Sequence, residues 1–215
     1  KGKQGDKEAK EMADLMNRAL VLLREGKPAR LVQRTADEEK MFRGLGLLSS
    51  KPVLYVCNVE EASADKGNEF SARVKEFAAK EGNSAVVVSA KIESEIAILP
   101  LADQKDYLDA VGLEEPGLNR VIRAGYDLLH LVTYFTVGPK EARAWTITRG
   151  TKAPAAAGVI HTDFEKGFIR SETIGYEDYV KNNGEAGAKE AGKFRLEGKE
   201  YVVLDGDVMH FRFAN

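Results

Sequence analysis

Lys51-Pro52-Val53-Leu54-Tyr55-Val56-Cys57-Asn58-Val59-Glu60-Glu61 is the stretch on which the fold turns. Val53 to Cys57 is apolar throughout, where a half-solvated strand would alternate. That pattern predicts a strand in a parallel sheet covered by helices on both faces. A second run, Ala85-Val86-Val87-Val88-Ser89-Ala90-Lys91, reads the same way. Between them, Phe70 to Glu81 has helical spacing (Phe70, Val74, Phe77, Ala78). Strand, helix and strand at these lengths make a crossover unit. Each strand ends in a polar signature: Asn-x-x-Glu after the first, Ser-Ala-Lys after the second.

In doubly wound sheets, ligands lie beyond the C-terminal strand ends. An Asn58 amide there can donate to and accept from a base edge at once. Glu61 can accept from an amino or imino group. Ser89 and Ala90 offer backbone N–H groups, and the Lys91 stem can lie against a purine. Asn-x-x-[Asp/Glu] and Ser-Ala-Lys at successive strand ends is how a GTPase-type fold grips a nucleotide base. Here Glu61 replaces the usual Asp and Val59 the usual Lys, which weakens a guanine reading and opens the site to adenine. The phosphate-holding loop of such sites, Gly-x-x-x-x-Gly-Lys-[Ser/Thr], occurs nowhere in the 215 residues. The competing reading makes Asn58 the N-cap of a helix or turn, with Glu60 and Glu61 at its positive end.

A content of 43% hydrophobic and 31% charged residues is that of a soluble globular protein. The net charge of −2 gives no global pull toward nucleic acid or membrane. Residues 1–51 carry 12 basic and 8 acidic residues, the one segment with a preference for phosphate. A single cysteine, Cys57, excludes an internal disulfide and fits a reducing compartment. In its apolar strand it reads as a small core residue. No apolar run reaches the ~18 residues of a membrane span. No signal peptide is apparent, and the chain begins at Lys, so its natural N-terminus is expected elsewhere.

Asp6 to Glu25 reads as a helix with Met12, Met16, Ala19 and Leu23 at coiled-coil spacing, widened by Leu15, Leu20 and Leu22. Pro28 to Gln33 reads as an extended crossing, and Thr35 with Glu38 as a capping box opening a second helix. Helices are expected over Leu101 to Val111 and Gly117 to Leu131. Near Thr133 the pattern becomes alternating. Tyr134 to Gly138 and Arg143 to Ile147 form a hairpin through Gly138-Pro139. Ala153 to Ile160 suits a short helix. Phe168 to Ile174, Glu200 to Leu204 and Val208 to Phe213 suit strands, the last entered by the turn Asp205-Gly206-Asp207. A hairpin, a helix and later strands in about 80 residues suggest a strand-rich sheet wrapped on one helix. Its expected core aromatics are Phe135, Trp145, Phe164, Phe168, Tyr201, Phe211 and Phe213.

No catalytic constellation stands out, and His130, His161 and His210 show no metal-ligand spacing. His130 and His210 read as structural, the latter in an edge-like strand. Arg143, Trp145, Arg149 and Lys152 gather around the hairpin and are candidates for an RNA-facing patch, with Trp145 alternatively a core anchor.

The Asn-Val-Glu-Glu and Ser-Ala-Lys runs, the segment TYFTVGPKEARAWTITRGTKAPAAAGVIHTDFEKGFIRSE from Thr133 to Glu172, and YVVLDGDVMHFRF from Tyr201 to Phe213 together resemble the YchF, or Obg-like, ATPases. The resemblance covers essentially the whole chain. It implies an α/β fold: the second half of a P-loop GTPase-like doubly wound domain with part of a helical hairpin, followed by a β-grasp TGS domain. The implied boundaries are 1–50 for the hairpin part, 51–132 for the nucleotide-binding part and 133–215 for the TGS domain. It implies base contacts from Asn58, Val59 and Glu61, with Ser89 and Ala90 closing over the base and Lys91 beside it. ATP is the implied nucleotide, with GTP the alternative, and Mg2+ is expected through residues absent from this chain. The implied parent is a cytoplasmic, ribosome-associated nucleoside triphosphate hydrolase; this chain alone is expected to be inactive. Arg143, Arg149 and Lys152 are the candidates for ribosome or RNA contact. The alternative is a non-catalytic adaptor that binds RNA or the ribosome.

Overall fold

The computed structural model describes Lys3–Ala214, which form two compact units divided at Leu118/Asn119. Among the described residues no helix is long and apolar enough to cross a membrane.

The first unit opens with α1 (Lys3–Arg24). Leu15 and Ala19 are fully buried and Leu22 packs beside them, against Ala29, Val32 and Phe42. The expected stripe is thus rotated: Met16, Leu20 and Leu23 are 40–48% exposed. The reason lies in what covers the helix. The short turn Ala29–Leu31 and α2 (Ala36–Gly44) pack on its Leu15–Ala19 side. That turn replaces part of the expected extended crossing. Thr35 caps α2 as expected: its Oγ1 accepts from the Glu38 N–H at 3.3 Å, and Glu38 accepts from the Thr35 N–H at 2.8 Å. Such a box contributes about 1 kcal/mol.

Strands β1 (Leu54–Asn58) and β2 (Ser84–Val88) pair in parallel, joined through α3 (Glu69–Lys80). Asn68 caps α3 by accepting from the Ser71 N–H at 3.0 Å. Gly67 precedes it at φ +80°, where a Cβ would lie 2.3 Å from the Ser71 hydroxyl, so glycine is required. Burial of β1 on both faces, expected from its apolar run, is not found. Val56 is 50% exposed and Cys57 only half-buried. The sheet has just these two strands among the described residues, so part of the β1 surface has no layer over it. Then come α4 (Ala90–Ile96), α5 (Leu101–Ala110) and α6 (Gly117–Leu128). Ile92, Ile96, Leu108 and Leu113 form their core with Ala64. Glu93 accepts from the Gly117 and Leu118 N–H groups, at 2.7 and 3.2 Å, and so caps α6. The unit boundary falls within α6.

In the second unit, β3 (Leu131–Val137) and β4 (Ala142–Thr148) form the expected hairpin. Helix α6 ends three residues earlier than its apolar pattern suggests, and His130 at φ +52° turns the chain into β3. The chain continues through α7 (Ala153–Ile160), α8 (Thr162–Lys166), β5 (Phe168–Gly175), α9 (Tyr176–Lys181), α10 (Glu185–Glu190), β6 (Arg195–Glu197) and β7 (Asp207–Phe213). The sheet order is β4-β3-β7-β5-β6, with β3 and β7 parallel and the other pairs antiparallel. His210 therefore lies on the central strand rather than at an edge. Glu200 to Leu204 is not a strand. It is tied to Thr151–Ala153 by one bridge, Lys152 to Val202, and two backbone bonds.

Val132, Tyr134, Ile147, Phe168, Met209 and Phe211 pack against Ala153, Ala156 and Ala157 of α7. The small alanines let the helix backbone approach, and the Tyr134 hydroxyl donates to Ala156 O at 2.9 Å. Burial raises the Tyr134 pKa well above the phenol range. Trp145, Phe164 and Tyr201 join this core half-buried, so Trp145 is an anchor, its Nε1 donating to Thr136 at 2.9 Å. Phe135 points to the other face and meets Tyr176 at 5.6 Å. His161 accepts from the Asp163 N–H at 3.2 Å and caps α8.

On that other face Arg212 donates to both oxygens of Glu172, at 3.1 and 3.0 Å. The guanidinium holds the Glu172 carboxyl below its ordinary range. A carboxyl lowered in the folded state contributes stability at pH values above its unfolded pKa. That contribution is lost as pH falls through the folded pKa. Arg212→Ala is therefore expected to be destabilising at pH 7, modestly because the pair is partly in water. Its cost should shrink toward zero on acidification below the carboxylate range. Urea unfolding of both proteins across pH checks this; a cost independent of pH contradicts it.

Candidate nucleotide-base site

The parallel register pairs Asn58 with Val88, so both strands end at the same edge. The Val59 N–H continues the ladder to Val88 O at 2.9 Å. Asn58 Oδ1 accepts from the Ala90 N–H, the first of α4, at 2.9 Å. Ser89 holds the N-cap position of α4, but its hydroxyl makes no capping bond. Its Oγ is buried, with no hydrogen-bond partner. The Asn58 side chain thus supplies the cap that Ser89 does not. Asn58 therefore acts as a helix cap, for α4 rather than for the turn that carries Glu60 and Glu61. That turn is organised by Glu60, which accepts from the Ser63 hydroxyl and from Asn68 Nδ2 at 3.1 Å. Oδ1 spends one of its two lone pairs on Ala90, which leaves Asn58 the other and both Nδ2 protons.

Glu61 and Lys91 meet across the mouth, with Nζ 3.0 and 3.1 Å from the two carboxylate oxygens. Both side chains are exposed. The hydrogen bond to Glu61, then the charges of Glu61 and Glu95, raise the Lys91 pKa above its ordinary value. Glu95 lies 3.6 Å from Lys91 and accepts from the Tyr107 hydroxyl, whose pKa is pushed up to about 12. The structure therefore brings Asn58, Val59, Glu61, Ser89, Ala90 and Lys91 to one place. Glu95 and Tyr107 join them without having been expected from the sequence. The spacing of Lys91 and Glu95, four apart on a helix, was the available signal for Glu95. Among the described residues, no three His, Cys, Asp or Glu side chains stand together as a metal-binding group.

Arg143, Arg149 and Lys152 are not brought together as one patch. Arg143 and Arg149 stand six positions apart, about 20 Å along an extended chain. Each also has an acidic neighbour: Arg143 with Glu141 at 3.0 Å, Arg149 with Asp127 at 3.3 Å and Lys152 with Glu200 at 2.5 Å. The Arg143 guanidinium lies 5.2 Å from the Trp145 ring centre.

A family model, YchF-GTPase_C, described as "Protein of unknown function (DUF933)", matches residues 131–214. The chain is 54% identical over 99% of its length to a ribosome-binding ATPase YchF of Haemophilus influenzae, and 52% identical over 98% to that of Bacillus subtilis. It is 39% identical over 97% of its length to Obg-like ATPase 1 of Pongo abelii. It spans 58%, 58% and 54% of those relatives. Among solved structures, the Schizosaccharomyces pombe YchF GTPase superposes with a TM-score of 0.81 at 32% identity, over 98% of this chain and 57% of that one. A GTP binding protein of Pyrococcus horikoshii shares the fold at 20% identity and a TM-score of 0.55, over 95% of this chain and 56% of that one. Matched over nearly all its length by sequence and by structure, the chain belongs to the YchF, or Obg-like ATPase, family.

Proposed function

We propose that this chain is the base-reading and C-terminal part of a ribosome-associated, ATP-hydrolysing switch protein. One observation carries the reading: the Asn58 side chain ties the end of β1 to the first turn of α4, with Glu61 and Lys91 at the mouth. Asn58 Nδ2 suits an acceptor on the purine ring that adenine and guanine share, so it fixes the base without choosing it. Choice falls to the Val59 main chain and Glu61, which accept from the adenine amino group. Ser89 and Ala90 close over the base. Lys91 neutralises Glu61 while the site is open and lies along the purine when it fills. GTP is the weaker ligand, because a Glu stands where an Asp would take two guanine protons. ATP brings the γ-phosphate that is cleaved; its phosphates and Mg2+ are held by residues outside these 215, and this chain alone does not hydrolyse it. Residues 1–50 form part of a helical hairpin, 51–132 the C-terminal part of the GTPase-like domain, and 133–215 a β-grasp TGS domain. The parent protein works in the cytoplasm.

Ribosome binding in this reading engages Arg143, Arg149 and Lys152. Their separation makes the test specific. Arg149→Ala with Lys152→Ala should weaken co-sedimentation of the complete protein with ribosomes about tenfold in buffer of low ionic strength, and Arg143→Ala should do so independently. Unchanged co-sedimentation in folded variants removes these residues. Ribosome binding that persists with no nucleotide dependence favours the adaptor reading instead.

A further inference from the structure

The open edge of the five-stranded sheet carries a seven-residue strand whose register fits a second copy of itself. Strand β4 ends the sheet, with β3 on its other side. Two bonds fix its parity: the Gly138 N–H to Glu141 O at 2.9 Å, and the Arg149 N–H to His130 O. Odd-numbered residues of β4 therefore face β3, and the N–H and C=O groups of Ala142, Ala144, Thr146 and Thr148 point away from the sheet. All four residues are exposed. The Thr148 carbonyl turns back to accept from Thr151; the others have no strand beside them among the described residues. Their side chains are small. Prolines and bulges blunt many natural edges, and β4 has neither.

The geometry points to an antiparallel, two-fold pairing of β4 with β4 of a second copy of this chain, centred on Trp145. That register is the one that pairs all seven residues of β4, and charge favours it. Centring on Trp145 sets Glu141 opposite Arg149 of the other copy, twice by symmetry. Shifting the centre to Thr146 sets Arg143 against Arg149, and shifting it to Arg143 sets that residue against itself. In the selected register Ala144 and Thr146 exchange backbone bonds across the two-fold. The two Trp145 side chains then face each other as a non-hydrogen-bonded pair, the closest cross-strand geometry and a favourable one for aromatics. The result is a continuous ten-stranded sheet.

Sedimentation equilibrium of the full 215-residue chain tests this, with a rise from 23.6 kDa toward twice that mass as concentration increases. Thr146→Pro removes an outward N–H and leaves the ladder to β3 intact, as prolines at sheet edges do; it is expected to abolish the dimer. Glu141→Arg and Arg149→Glu alone should each weaken dimerisation about tenfold, and the double exchange should restore it to within about twofold. The two positions lie about 26 Å apart along one strand, so rescue can come only from between copies. The charge exchange stands as the test if Thr146→Pro fails to fold. A chain that stays monomeric at millimolar concentration overturns the proposal. So does a dimer indifferent to Thr146→Pro, or a double exchange that fails to rescue.

Discussion

Asp207→Ala is expected to destabilise the second unit by about 3 kcal/mol, the largest stability effect of any single polar change in it. Asp207 is 2% exposed and sits where the turn at Gly206, φ +80°, enters β7. Its carboxylate accepts from the Tyr201 hydroxyl at 2.6 Å, the Leu204 N–H at 2.9 Å and the Arg195 guanidinium at 3.0 Å. Burial, then the hydrogen bond to Asp207, pushes the Tyr201 pKa up to about 12. Alanine removes all three acceptor contacts and leaves their donors facing a low-dielectric interior. Arg195 is 41% exposed and turns to water, so the cost stays below that of a fully buried pair. A loss of this size lowers the midpoint of a unit this small by roughly 12–24 °C. Asp207→Asn keeps one acceptor and should cost about half as much. Calorimetry on the three proteins decides; a change under about 1 kcal/mol for alanine means the network contributes little.

Asn58→Ala is expected to weaken ATP binding by the complete protein about 30-fold, the largest functional effect. Two losses combine. The base loses a donor, and the Ala90 N–H loses the acceptor that holds α4 against β1. The second loss is local, because Ala90 is exposed and water can replace the side chain. Asn58→Asp separates the two: it still accepts from Ala90 but cannot donate to the base. Asn58→Asp should fold like the wild type and bind ATP as weakly as Asn58→Ala. Wild-type ATP affinity in Asn58→Asp would remove Asn58 from the base site.

The elements made of long apolar runs were legible: the two parallel strands, the crossover helix, the hairpin and the capping box at Thr35. So was the gathering of Asn58, Val59, Glu61, Ser89, Ala90 and Lys91 at one sheet edge, because a strand end fixes where the next residues stand. What the sequence did not disclose depends on partners distant along the chain. Tyr134 was passed over and its neighbour Phe135 chosen for the core. Alternation allows either, and only the carbonyl of Ala156 decides for the tyrosine. Val56 looks like a core residue, yet burial needs a layer over the strand. The α1 stripe is rotated by the turn at Ala29–Leu31, whose position no periodicity reveals. Tyr201 to Leu204 has strand composition but satisfies its backbone through Thr151–Ala153 and Asp207. The short helices α8, α9 and α10 carry too few apolar positions to show a period. The use of Asn58 Oδ1 as a cap for α4 is a tertiary choice, made possible by Ser89 leaving that position open.

The central claim is that these strand ends read an adenine base and that the phosphates are held elsewhere. Titrating ATP and GTP into the complete protein, and into residues 1–215 alone, tests it directly. The proposed base contacts would give the isolated chain a few hydrogen bonds at about 0.5–1.5 kcal/mol each, well short of the roughly −8 kcal/mol of a micromolar site. The expected result is tighter binding of ATP than GTP by the complete protein and no micromolar binding of either by the isolated chain. A preference for GTP in the complete protein, or micromolar ATP affinity in the isolated chain, would contradict the account.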